Sequence, residues 1–391
     1  MKKRQVLIVV HQLNHGGVQK SLISALNAID YNENDVTLYI RKSRLDLLPD
    51  VNKNVARIIV NEDRTRYYRK PAAAWLQLRL TLCEKLGRAE KSAALKEKLD
   101  CFIISKKTEY EKKCYFSSGE KYDVAVSYIQ GYTAGFVADC VDADRKIVFY
   151  HGSTDETHDV HECVFGCYDK IVAVNSGCAE VLARLYPAHA EKITYLENCV
   201  DAASIGAKAA EPVDISHDRL MLCSCGRLSP VKGFDLAVGA AKTLKERGIA
   251  FRWYFVGDGP DREKLEQSIK ESGLSDEIVI TGMQQNPYPW IGACDIYVQP
   301  SYEEAYGLTI AEAKILCRPV VSTSTVGGKC LINSGKDGIL TEISAESIAD
   351  GITELAQSSE LREKLSANLA ATDHSHDMDN YRSKWKELLK G

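Results

Sequence analysis

The sequence predicts an α/β protein of two domains, each built on a parallel sheet covered by helices on both faces. Two observations carry that expectation. Apolar runs of strand length alternate with segments of helical period along both halves of the chain. Between the halves, residues 201–218 lack periodicity and are rich in Ala, Asp and Glu, which reads as a linker in a chain of 391 residues. The expected boundaries are a first domain over 1–200 and a second over 201–372. The last segment, 373–391, is expected to pack back on the first domain as a helix.

In the first half, Gln5 to Val10 is an apolar strand, followed by Asn14-His-Gly-Gly-Val and a helix from about Gln19 to Ile29. Strand, glycine pair and helix open a nucleotide-binding α/β unit, although a plain tight turn accounts for Gly16 and Gly17 equally well. Val36 to Ile40, Ala56 to Val60, Tyr122 to Tyr128, Lys146 to Tyr150, Lys170 to Val174 and Ile193 to Leu196 are further strands. His151 follows the Lys146 strand at its carboxyl end, where open α/β sheets bind ligands. In the second half the strands are Leu220 to Cys223, Phe251 to Val256, Glu277 to Ile280, Ile296 to Gln299, Pro319 to Ser322 and Gly338 to Leu340. Helices are expected from Phe234, after Gly257-Asp-Gly-Pro, over Leu308 to Leu316, Ala345 to Gln357, Glu360 to Ala371 and Asp379 to Leu389.

Composition removes several classes of function. A net charge of −4 gives no whole-chain case for nucleic acid. No run of 18 apolar residues is present to span a membrane as a helix. The opening apolar stretch is too short for a signal peptide and runs at once into His11, Gln12, Asn14 and His15. Thirteen cysteines without an export signal fit a reducing cytosol and free thiols, so a cytoplasmic location is expected. Residues Arg64 to Lys113 differ from the rest, with 14 Lys and Arg against 6 Asp and Glu, an excess of 8 positive charges. They look like a helical insertion. The excess is either a solvated basic face or a peripheral contact with an anionic membrane, to which Trp75, Leu76 and Leu78 would add apolar insertion.

The stretch from Pro300 to Thr323 concentrates the chemistry. Glu304 lies in the loop after a strand, Gly307 precedes a helix, and Glu312 sits about one turn inside it. A helix start aims unpaired N–H groups and partial positive charge at whatever lies in front of it, which suits a phosphate. Carboxylates beside it accept hydrogen bonds from hydroxyls. Together they describe a receptor for something phosphorylated and rich in hydroxyls, such as a nucleotide-sugar.

In order along the chain, Gly16-Gly17, His151, Ser176, Asn198 with Asp201, Gly226-Arg227 with Lys232-Gly233, Val256-Gly-Asp-Gly-Pro260, Asp295 with Pro300-Ser301, Glu304 to Glu312, and Gly327-Gly328 resemble the retaining glycosyltransferases of family 4, glycosyl transferases group 1. The resemblance implies two Rossmann-like domains in the GT-B architecture with the donor cleft between them. Two departures stand out. Ala305 occupies a position that is usually Gly, before Tyr306 where Phe is usual, and no acidic residue follows Gly328. Neither removes a charge that the chemistry needs.

The resemblance implies roles residue by residue. Arg227 and Lys232 hold the donor diphosphate, helped by the amides of Gly307, Leu308 and Thr309 at the helix start and by the close backbone approach of Gly16 and Gly17. Glu312 accepts hydrogen bonds from the ribose, Tyr306 lines the donor site, and Glu304 and His151 stand at the donor sugar and reaction centre. Two cations and a helix dipole replace a divalent metal, so no metal and no cofactor are expected, the nucleotide-sugar being a co-substrate. The partners implied are a nucleotide-sugar, with uridine diphosphate as its nucleotide, and a saccharide or lipid-linked acceptor in assembly of cell-surface polysaccharide or glycolipid. The rival readings are a nucleotide-sugar epimerase on the same double fold and a catalytically silent sugar- or lipid-binding subunit. Asp142-Ala-Asp144 looks like the acid pair of single-domain transferases but precedes its strand, and His158, His161, Cys163 and Cys167 match no common zinc spacing.

Overall fold

The computed structural model describes residues 2–42, 44–60, 78–79, 81–82, 120–153, 164–213, 215 and 218–390. The expected basic insertion over 64–113 lies outside the described residues apart from Leu78, Arg79, Thr81 and Leu82, as do His158, His161 and Cys163.

Among the described residues the first sheet contains β1 (Arg4–Val10), β2 (Asn34–Ile40), β3 (Arg57–Val60), β4 (Lys121–Ser127), β5 (Asp142–Tyr150), β6 (Lys170–Ala173) and β7 (Ile193–Tyr195). Its order is β3-β2-β1-β4-β5-β6-β7, and every pairing is parallel. The second contains β8 (Leu220–Cys225), β9 (Phe251–Val256), β10 (Ile278–Gly282), β11 (Ile296–Gln299), β12 (Val320–Thr323) and β13 (Gly338–Thr341). Its order is β10-β9-β8-β11-β12-β13, again parallel throughout. Strand order reverses direction at β1/β4 in one sheet and at β8/β11 in the other. Such switch points open a crevice at the carboxyl ends of the strands.

Helices α1 (Gly17–Ala28), α2 (Tyr132–Cys140) and α3 (Ser176–Leu185) belong to the first domain. The second carries α4 (Ala202–Ala209), α5 (Phe234–Glu246), α6 (Arg262–Glu271), α7 (Tyr288–Ala293), α8 (Leu308–Ile315), α9 (Val326–Leu331), α10 (Ala345–Gln357) and α11 (Ser359–Ala370), and α12 (Asp377–Lys390) closes the chain. The period of two in β1 shows why its run is apolar throughout. Val6, Ile8 and Val10 enter the core on one face, Leu7 and Val9 the core on the other, and all five are fully buried.

The expected linker over 201–218 is corrected by α4. Asp201 caps this helix through the Ser204 amide, and the helix packs on α7 and α8. Its composition favours a helix, but Ile205 is its one buried residue, so no apolar period marks it. The chain therefore crosses between domains just before α4, at about the Asn198 junction. The return crossing leads into α12, whose Tyr381, Trp385 and Leu389 are buried in the core of the first sheet. The Trp385 ring stacks on Phe149 at 5.3 Å between centroids, beneath the end of β5. A second correction concerns Asp142 and Asp144, which lie inside β5 at its amino end, with Asp144 paired to Lys121 at 2.5 Å on the surface.

Candidate active site

Four loops at strand carboxyl ends build the site. Gly16 and Gly17 follow β1, His151 follows β5, Arg227 follows β8 and Glu304 follows β11. The two domains touch here. A Cβ on Gly17 would lie 3.4 Å from Leu308 Cδ1. Gly16 is in extended backbone, so its place reflects room near the Gln19 side chain and no conformational strain.

Glycines set the Arg227 loop against its neighbours. A Cβ on Gly257 would meet the Gly226 carbonyl oxygen at 1.8 Å, and one on Gly259 the Leu228 carbonyl oxygen at 2.2 Å. The Gly-Asp-Gly stretch is thus a seat for the loop, which it grips through Gly226 N to Val256 O and Leu228 N to Asp258 O, both 3.0 Å. At the far end Gly233 has φ +65° and lies against the Pro300 carbonyl. The Tyr302 amide donates to Val231 O at 3.0 Å. Hence Lys232 reaches the next strand's loop, and its Nζ lies 2.6 Å from Glu304 Oε2. Arg227 is exposed on the same loop, and no ion pair ties it to a described residue.

The Glu304 loop is held from both sides. The Gly327 amide donates to Glu304 O at 2.8 Å, with no room for a Cβ between Gly327 and the Tyr306 carbonyl. Asn175, the cap of α3, donates through Nδ2 to Ala305 O at 2.6 Å. The Tyr306 hydroxyl donates to Asn198 O at 2.7 Å and its ring is buried in the first domain's core. Tyr306 therefore joins the domains, a use of its side chain that the motif alone did not suggest. Gly307, φ +91°, precedes α8, and the Thr309 hydroxyl donates to Gln299 Oε1 at 2.9 Å. Gln299 also accepts from Tyr297 and donates to Ser301, so a buried polar network fixes the helix start to β11.

Glu312 is buried on α8. Its Oε1 accepts from Lys20 Nζ at 3.0 Å and from the Tyr288 hydroxyl at 3.1 Å. Sequence reasoning passed over both partners. Lys20 had a weak signal, since it lies one turn beyond the glycine pair. Tyr288, on the short helix α7, had none. The His151 amide donates to Gln130 Oε1 at 3.1 Å. Burial pulls the His151 pKa down to about 4, against a hydrogen bond from the ring to the Tyr128 backbone that raises it. Nε2 is buried without a partner, so the bonded nitrogen is Nδ1, and the neutral ring keeps an acceptor lone pair on Nε2. Asn14 Oδ1 and Glu312 Oε2 are also buried polar atoms without partners, and both belong to elements of this cleft. Buried acceptors left free on the loops and helix of the cleft suit a ligand rich in hydroxyls.

The fold is that of the two-domain GT-B glycosyltransferases. Anabaena HepE in complex with UDP-glucose superposes with a TM-score of 0.72 at 15% identity over 99% of both chains. Staphylococcus aureus TarM, in a complex containing UDP, gives 0.70 at 14% identity over 99% of this chain and 100% of that one. Residues 207–371 match the family model described as glycosyl transferases group 1. Alpha-D-kanosaminyltransferase of Streptomyces kanamyceticus is 33% identical over 156 residues, 39% of this chain and 40% of that protein. The lipopolysaccharide core biosynthesis glycosyltransferase LpsE of Rhizobium meliloti (strain 1021) is 28% identical over 198 residues, 50% and 56% respectively. The chain spans about half the length of the curated relatives it matches.

Proposed function

We propose that the protein transfers a glycosyl group from a nucleotide-sugar, a uridine diphosphate sugar, to an acceptor hydroxyl with retention at the anomeric carbon. The observation that carries this reading is the meeting of Lys232 and Glu304 in front of α8, with Arg227 exposed on the same loop and tied by no ion pair to a described residue. UDP in the HepE and TarM complexes supports the choice of nucleotide.

When the bond from the anomeric carbon to the phosphate oxygen breaks, the electron pair goes to the diphosphate and positive charge grows on the carbon. Arg227 offers a planar fork to the oxygens and Lys232 a point charge, while α8 adds its N-terminal amides. Lys232 exchanges its Glu304 partner for the diphosphate, which leaves the Glu304 carboxylate facing the sugar. His151 is neutral and accepts a sugar hydroxyl at Nε2. With no second nucleophile in the reading, the acceptor oxygen bonds on the face the phosphate leaves, and the departing phosphate takes its proton.

Arg227→Ala and Lys232→Ala should each lower turnover about a hundredfold, roughly 3 kcal/mol for one preorganised donor to a charged leaving group, with the fold intact. Wild-type rates in either variant would sink the diphosphate assignment. Because cations and helix start already serve the diphosphate, we expect activity to persist in EDTA. Loss that manganese restores would overturn that expectation.

For the acceptor, the names of relatives in lipopolysaccharide core biosynthesis favour cell-surface glycoconjugate assembly. The basic segment 64–113 then serves a lipid-linked acceptor at the inner face of the membrane. Each Lys or Arg close to an anionic leaflet contributes about 1 kcal/mol. The protein should co-sediment with phosphatidylserine vesicles at low salt and be released near 1 M salt, where the Debye length is about 3 Å. Failure to bind at low salt would favour a soluble acceptor.

A further inference from the structure

Lys20 belongs to α1 of the first domain, yet its charge is used in the second. Its ammonium contacts Glu312 Oε1 at 3.0 Å and the Tyr288 hydroxyl at 3.5 Å, and stands 5.1 Å above the Tyr288 ring. Glu312 is 1% exposed, and its Oε2 has no partner. Burial works to discharge Lys20, but Glu312 and Tyr288 outweigh it, so its pKa rises and the ammonium keeps its charge. One oxygen of the carboxylate is thus saturated by an ammonium and a phenol, while the other is buried and unsatisfied. A buried acceptor left in this way is destabilising, and a ligand hydroxyl would satisfy it.

We propose that Lys20 is a positioning residue that couples closure of the two domains to recognition of the donor's ribose. By holding Glu312 at Oε1, it presents Oε2 to a ribose hydroxyl. This rests on the reading of Glu312 as the ribose acceptor. Because the pair bridges the domains beside the Gly17–Leu308 contact, it forms only when α1 stands over α8. Opening the cleft breaks it and leaves Glu312 without its counter-charge and without a fixed rotamer. The ribose site is therefore complete only in the closed arrangement, and residues from both domains share it.

The test is calorimetric titration of the full chain with UDP and with 2′-deoxy-UDP. Lys20→Met should weaken UDP binding about tenfold, within the range of coupling between two residues of one network, and should narrow the preference for UDP over the deoxy nucleotide. Lys20→Arg, which keeps the charge, should restore most of both. In a Glu312→Gln background, Lys20→Met should add less than about twofold, since the two act as one unit. Wild-type affinity and preference in Lys20→Met, with both lost in Glu312→Gln, would overturn the role given to Lys20 while leaving Glu312 as the ribose acceptor. Unchanged UDP binding in Glu312→Gln would overturn the ribose reading itself, and with it the inference. A merely structural role for Lys20 would lower affinity for both nucleotides alike and leave the preference untouched, which also counts against the proposal.

Discussion

At the scale of single residues, two carboxylates on one motif are held by two lysines and are expected to separate in kinetics. Glu304 faces the reacting sugar once Lys232 turns to the diphosphate, so its interaction grows toward the transition state. Glu312 holds the ribose alike in ground and transition states. Glu304→Gln should lower kcat about a hundredfold with little change in donor KM, and Glu312→Gln should raise donor KM about tenfold at near-constant kcat. Steady-state kinetics with donor varied decides it, and the reverse pattern would mean the roles are exchanged. His151 gives a pH prediction. Its folded pKa, about 4, lies below an unfolded value near 6.5, so the unfolded state binds more protons between them. Its contribution is present above about pH 6.5 and is lost as pH falls toward 4. That amounts to about 2 kcal/mol between pH 7 and pH 5. Urea titrations should show His151→Asn losing less stability over that interval than the wild type. Equal losses in both proteins would argue against a buried neutral ring.

At the scale of elements, glycines decide where loops can approach. A Cβ on Gly327 would sit 2.4 Å from the Tyr306 carbonyl oxygen, against backbone that cannot rotate away. Gly327→Ala should destabilise by about 1–3 kcal/mol and should also lower kcat, because the Gly327 amide holds the Glu304 carbonyl. Gly206 is the contrast. It lies exposed in α4, with open space where a Cβ would go, so Gly206→Ala should stabilise by about 0.4–1 kcal/mol and leave kcat alone. Thermal unfolding beside initial rates separates the two, and a rate defect in Gly206→Ala would be unexpected. The glycines at 16, 17, 307, 327 and 328 were legible as a pattern. What each one touches was not, since the touching backbone comes from another part of the chain.

At the scale of the whole molecule, α12 links the end of the chain to the beginning. Trp385 is fully buried against the aromatic side chains of Phe149 and Tyr128, and His151 stands next to both of them. Trp385→Ala should therefore cost about 3–5 kcal/mol, and it should loosen the end of β5 that carries His151. Denaturant unfolding should register the loss, and amide exchange at Phe149 to His151 should speed up. Unchanged protection of those amides would mean that α12 stabilises the domain without supporting the site. Docking of the two domains joins hydrogen bonds, Tyr306 to Asn198, Asn175 to Ala305 and Lys20 to Glu312, to apolar packing of Tyr306, Leu308, Ala311 and Val326 on the first domain's core.

The sequence by itself determined the α/β class and the strands, because a strand buried on both faces must be apolar at consecutive positions, as Val6 to Val10 are. Glu304, Glu312, Arg227 and Lys232 were marked as a set by the resemblance of their ordered motifs to a known family, since each taken alone reads as well as a cap or a surface charge. Short elements stayed hidden. Helices α4, α7 and α9 bury too few residues to show a period. Only the tertiary structure decided which charges meet. Lys232 with Glu304 and Lys20 with Glu312 are pairs separated by 72 and 292 positions, and no local pattern encodes contacts over such separations. It likewise decided that Tyr306 fastens the domains and that His151 is neutral, because burial and partners are set by what packs around a residue and not by its neighbours in the chain.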